Sequence, residues 1–158
     1  MAAVAFLFAM CGGGGAVSAC PTPIPGSDQD AQLQRVRAGA AFTVLYPCYM
    51  PNGQRLVKGT VSGTAGRQQT ELVYEGPFNL SIRQAQFAPV IPEDPAGASR
   101  SLIDLFPNVR ATLIEVNDGT GDALYHLFWE RDGLFYEVQA YGPPLQRRTV
   151  LQVARSLQ

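Results

Sequence analysis

The sequence predicts an α+β domain: an antiparallel, curved β-sheet of about six strands, packed by an N-terminal and a C-terminal helix. Three observations carry this. Phe78, Leu80 and Ile82 alternate with Asn79, Ser81 and Arg83, the period-2 pattern of a sheet with one wet face. Asn117-Asp118-Gly119-Thr120-Gly121 and Arg131-Asp132-Gly133 separate three β-rich runs as hairpin turns do. Val150, Val153, Ala154 and Leu157 fall at helical spacing and form one apolar stripe. That stripe needs a partner, and the dry face of the sheet is the large one available.

The 158 residues are 46% hydrophobic and 16% charged, which suits one domain, or one domain with a leader, around a packed core. The formal net charge of -1 supplies no positive field to collect phosphates, which argues against nucleic-acid binding.

The elements follow in order. Residues 1–19 read as a signal peptide. Met1 to Met10 is a compact apolar run, too short for the roughly 20 residues of a membrane span. Small residues follow it, as at the end of an exported leader. Val17-Ser18-Ala19-Cys20 resembles a bacterial lipobox, which implies lipid attachment at Cys20 and a chain anchored to a membrane without crossing it. Plain cleavage after Ala19 is the alternative. It would free Cys20 for a disulfide to Cys48 in an oxidising compartment. Residues 20–27 carry three prolines and read as an extended linker. The domain then runs over residues 28–158.

Ser27 to Ala38 is expected to be a helix, with Ser27 as N-cap and Asp30 three positions on, and Gly39 as its stop. Pro47 and Pro51 bracket an irregular extended stretch, and Asn52-Gly53 marks a turn. Strands are expected at Gln54 to Ser62, Gln69 to Glu75 and Phe78 to Phe87. Ala88 to Ala98 holds Pro89, Pro92 and Pro95 and reads as a loop, and Ser101 to Phe106 as a helical turn. Val109 to Val116, Ala123 to Trp129 and Leu134 to Tyr141 form an antiparallel meander. Gly142-Pro143-Pro144 stops the sheet, and Leu145 to Leu157 closes the chain as a helix.

Several of these pieces resemble a known family. Tyr46-Pro47 with Tyr49-Met50-Pro51-Asn52-Gly53, the strand from Phe78 to Gln84, Leu127-Phe128-Trp129-Glu130 leading through Asp132-Gly133 to Phe135-Tyr136-Glu137-Val138, and Val153-Ala154-Arg155-Ser156-Leu157 are similar to the DUF4367 domain. That domain occurs in bacterial extracytoplasmic lipoproteins and in the outer parts of some membrane proteins. The resemblance implies a module at the cell envelope and brings no catalytic residues with it. A broader likeness, to the open β-barrel of outer-membrane lipoprotein carriers, implies the alternative of an apolar-ligand carrier. Its cavity would lie between sheet and helices, lined by Leu80, Ile82, Leu113 and Val138.

The chemistry-bearing residues are sparse. His126 is the one histidine, and a triad or metal site around it needs distant partners. It reads as structural or superficial. Cys48 reads as a buried small hydrophobe. The serines form no Gly-x-Ser-x-Gly elbow, and Lys58 is the one lysine. Residues 117–122 are rich in oxygen side chains but match turn chemistry rather than a calcium loop. Glu130, Asp132 and Glu137 read as solvated charges around a hairpin. No catalytic residue, metal ligand or cofactor emerges.

The aromatics are more informative. Both faces of the last hairpin carry them, and only one can be core. Trp129, Phe135 and Tyr141 are therefore the candidate binding surface. The expected protein is an extracytoplasmic, membrane-anchored, non-catalytic binding or sensing module. Its partner is an envelope protein or an apolar ligand.

Overall fold

The computed structural model describes residues 20, 23, 26–91, 93–117, 122–143 and 145–158. The expected signal peptide, half of the linker and the tip of the 117–122 turn lie outside the described residues.

Two helices and seven strands follow one another: α1 Asp28–Gly39, β1 Arg55–Ser62, β2 Gln69–Glu75, β3 Asn79–Ala85, β4 Ser99–Phe106, β5 Val109–Asn117, β6 Ala123–Arg131, β7 Leu134–Tyr141 and α2 Arg147–Arg155. The strands form one sheet in the order β1-β2-β3-β7-β6-β5-β4. Every pair in it is antiparallel. The α+β expectation holds, with seven strands rather than six.

The additional strand is β4, where the sequence suggested a helical turn. Arg100, Leu102 and Asp104 on one side alternate with Ser101, Ile103 and Leu105, but Leu102 is 67% exposed, so apolarity does not mark the face. Pairing with β5 decides the conformation, as tertiary context commonly does for short segments. Asn108 takes a φ of 63° in the two-residue link from Phe106 to Val109.

Each sheet face has its own cover. On the helix side Leu72, Ile82, Leu113, Leu127 and Val138 are fully buried beneath Leu33 and Val36 of α1 and Val150, Val153 and Ala154 of α2. The Ser27 hydroxyl accepts from the Asp30 amide at 3.2 Å, which caps α1 as its sequence signalled. Gly59 lets α1 approach: a Cβ there would stand 2.6 Å from Val36 Cγ2. The Gln84 side chain is fully buried and its amide grips the Leu45 backbone, accepting from N–H at 2.8 Å and donating to C=O at 2.6 Å. Residues 46–48 then pair with 156–158, through Cys48 N–H to Ser156 C=O at 3.0 Å and reciprocal bonds between Tyr46 and Gln158.

Cys20 is bonded to Cys48 across a Cα separation of 4.9 Å. A sulfur in that bond is not free to carry a thioether-linked lipid, so this disulfide and lipidation of Cys20 are alternatives within one molecule. Pro23 lines a cavity with Leu33, Tyr46, Met50 and Tyr74. The segment after Cys20 is thus tied to the domain at both places the structure describes before Gly26.

Among the described residues the second face carries no helix. Phe87, Pro89 and Val90 stand beside Arg83, His126 and Glu137 on it, and we call it the loop face.

Candidate functional site

The site grows out of the β6–β7 hairpin. Asp132 and Gly133 both take positive φ, 55° and 74°, the two-residue turn that Asp-Gly favours. The turn pairs Arg131 with Leu134 and fixes the register of everything behind it. Gln139 falls opposite His126, and Glu137 opposite Phe128. His126 and Glu137 are therefore diagonal neighbours on the loop face, within reach of each other.

They meet. His126 Nε2 is hydrogen-bonded to Glu137 Oε1, and the two residues are 8% and 7% exposed. Glu137 is registered with Arg83 of β3 on its other side. Arg83 Nη1 lies 3.5 Å from both Glu137 oxygens, and Arg83 Nε donates to Glu71 Oε1 at 2.9 Å. Phe128 closes one side of the imidazole, ring centres 4.1 Å apart. Ala85 and Ile114 are also buried on this face.

The electrostatics are consistent with an ionised Glu137. Burial pushes its carboxyl up, but the hydrogen bond and charge of His126, with those of Arg83, outweigh that and hold it below the usual carboxylate range. For Arg83, burial works downward and the Glu137 and Glu71 carboxylates more than offset it. Two carboxylates, Glu71 and Glu137, thus meet the Arg83 guanidinium here.

The cluster floors an open pocket of about 380 Å³, lined also by Gln69, Gln139 and the loop residues Phe87, Pro89 and Val90. A second pocket of about 330 Å³ is lined by Val73, Asn79, Leu80, Ser81, Leu124, Gln139 and Tyr141. Gln139 lines both, so the two pockets adjoin across β2, β3, β7 and β6, and we call the pair the groove. The first is charged and the second mostly apolar.

The three candidate contacts separate. Tyr141 belongs to the groove, 47% exposed, its hydroxyl donating to Asp122 at 2.9 Å. Phe135 is half-buried on the same face, opposite Glu130 and Ala85, and lines neither pocket. Trp129 must be removed from the surface. It points to the helix side, 5% exposed, stacked on Tyr136 at 5.2 Å between ring centres. The period of two puts it opposite Tyr136, one step out of phase with Phe135.

Glu137, expected as a solvated charge at the hairpin, is instead buried against His126. The signal lay in the Asp132-Gly133 turn: counting back from it places both on one face, one diagonal apart.

The pair supplies an imidazole oriented by a carboxylate, which is two parts of a nucleophilic triad. Ser81 does not supply the third part. Ser81 and His126 are registered with Gln139 from opposite sides, so they stand two strand spacings apart, about 10 Å. A serine hydroxyl does not span that to the roughly 3 Å that proton transfer requires. Cys48 is bonded to Cys20. Among the described residues no three His, Cys, Asp or Glu side chains gather as a metal site would need.

No family model, curated protein or solved structure matches the chain. The resemblance to DUF4367 rests on its motifs alone.

Proposed function

We propose that the chain is an extracytoplasmic, non-catalytic binding module, and that its binding site is the groove on the loop face. The observation that carries this is the buried His126–Glu137 pair, with the partly exposed Arg83 beside it, lining a pocket that adjoins, at Gln139, the one beside Tyr141. Buried charge is costly and needs partners. Here it is placed under a cleft, where polar groups fix a ligand's orientation while apolar walls supply its burial. The ligand that fits is small and amphipathic, with a hydrogen-bonding head at the Glu137 end and an apolar part against Val73, Leu124 and Tyr141. The Glu137 carboxylate accepts hydrogen bonds, which suits an ammonium head.

The groove is a better host than the interior. Leu80, Ile82, Leu113 and Val138 are at most 2% exposed. The cavity beside Leu33 and Tyr74 holds about 30 Å³, the space of one water rather than an acyl chain. This weighs against a carrier whose cargo lies between sheet and helices.

Export is supported by the Cys20–Cys48 bond, since disulfides persist in oxidising compartments. It is common to both fates of Cys20, a lipid anchor or a crosslink.

Calorimetric titration with hexylammonium and with hexanoate tests the proposal. Hexylammonium is expected to bind the more tightly, and Glu137→Gln and Tyr141→Ala each to weaken it. Equal binding by a folded Glu137→Gln variant would overturn the assignment.

A further inference from the structure

We propose that β4 is a self-complementary edge through which two copies of this chain pair, joining their sheets across a two-fold axis at Leu102. The inference is independent of the groove. β4 ends the sheet, with β5 on one side. Among the described residues, no backbone hydrogen bond links residues 99–103 to any other element than β5. Farther along, Arg155 donates to the carbonyls of Leu105 at 3.0 Å and Asp104 at 3.2 Å, so that end is capped from α2. The open part is short and sits on the strand's first half.

Open edges are usually blunted by charge, and here the charges are arranged in a particular way. Arg100, Leu102 and Asp104 share the loop face and are all exposed. An antiparallel pair has a two-fold axis through any directly opposed residues. With Leu102 of one copy opposite Leu102 of the other, Arg100 of each falls opposite Asp104 of the other. The same register lays Ser101 against Ile103. One apolar contact at the axis is thus flanked by two opposite-charge pairs, the favourable cross-strand combination. Leu102 gains what the isolated chain denies it, since 67% of its surface is exposed in the middle of a strand.

Arg100 is prepared for this. Asp94 binds it through Nε at 3.0 Å and Nη2 at 2.6 Å. Those bonds hold the guanidinium in place and leave further N–H donors for the second copy's Asp104. The opposite edge, β1, lacks such a palindrome: Lys58, Gly59 and Thr60 stand at its middle, and α1 packs against its face.

Sedimentation of the protein purified from its full chain, over a concentration series, reads the association directly. A monomer–dimer equilibrium is expected. Asp104→Arg sets Arg100 against arginine twice and is expected to weaken the dimer on the order of tenfold or more. Adding Arg100→Asp to it restores opposite signs and is expected to restore the dimer. Thermal melting of each variant shows whether it is folded. A monomer at every concentration overturns the proposal, as does a dimer that a folded Asp104→Arg leaves untouched. Amide hydrogen exchange on the wild-type chain needs no variant: residues 99–103 are expected to gain protection as concentration rises. Protection independent of concentration contradicts the pairing.

Discussion

Glu137 concentrates the residue-scale argument. Its folded-state pKa is depressed by His126 and Arg83 against the opposing effect of burial. A depressed carboxylate stabilises the fold above its unfolded pKa, and that contribution is lost as pH falls through the folded value. Stability is therefore expected to decline as pH drops below about 4.3, the ordinary glutamate value, and to go on declining toward the lower folded one. Glu137→Gln is expected to flatten that part of the curve, which urea melts across the acid range would show. His126→Ala removes the closest partner and leaves a buried carboxylate with Arg83 alone, at an expected cost of about 1–3 kcal/mol. Gly59→Ala acts on the other face. Its Cβ meets Val36 Cγ2 at 2.6 Å, so the Val36 side chain or α1 must shift, at an expected cost of about 1–3 kcal/mol read from denaturant melts.

Elements differ in how much of themselves they announce. The β5–β6–β7 meander, α1 with its Ser27 cap and the α2 stripe were legible, because each rests on a local pattern: alternation, a turn dipeptide, a helical period. β4 was not. Leu102 faces water while Leu105 is buried, and an irregularity between Asp104 and Phe106 shifts the register, so the alternation is broken within eight residues. The site was half legible. The faces of the hairpin followed from counting, including the one shared by His126, Glu137 and Tyr141. The place of Phe87, Pro89 and Val90 beside them did not, because that proline-containing stretch has no period to count from. Trp129 was misplaced by grouping aromatics by type rather than by parity. Gln84 belongs at this scale too, since it fastens the 42–46 segment to the sheet. Gln84→Leu leaves the Leu45 N–H and C=O without their partner, at an expected cost of about 1–3 kcal/mol, with faster exchange of the Leu45 amide as its signature.

For the whole molecule, one sheet has two differently used faces. The helix side is a filled core and carries stability. The loop face holds the hydrogen-bonded His126–Glu137 pair under a cleft and carries the proposed function. The Cys20–Cys48 bond closes 28 residues of sequence around α1. Cys48→Ser is expected to cost about 3–4 kcal/mol in the chain-entropy description. Intact mass of the exported protein separates the fates of Cys20, since the crosslinked form is two hydrogens lighter than the reduced chain and the lipidated form much heavier. The location of the binding site is tested most directly by amide chemical-shift mapping during titration with hexylammonium. Shifts confined to His126, Glu137, Gln139 and Tyr141 with their neighbours are expected. Shifts on the helix side, or none along the groove at saturation, would contradict the assignment.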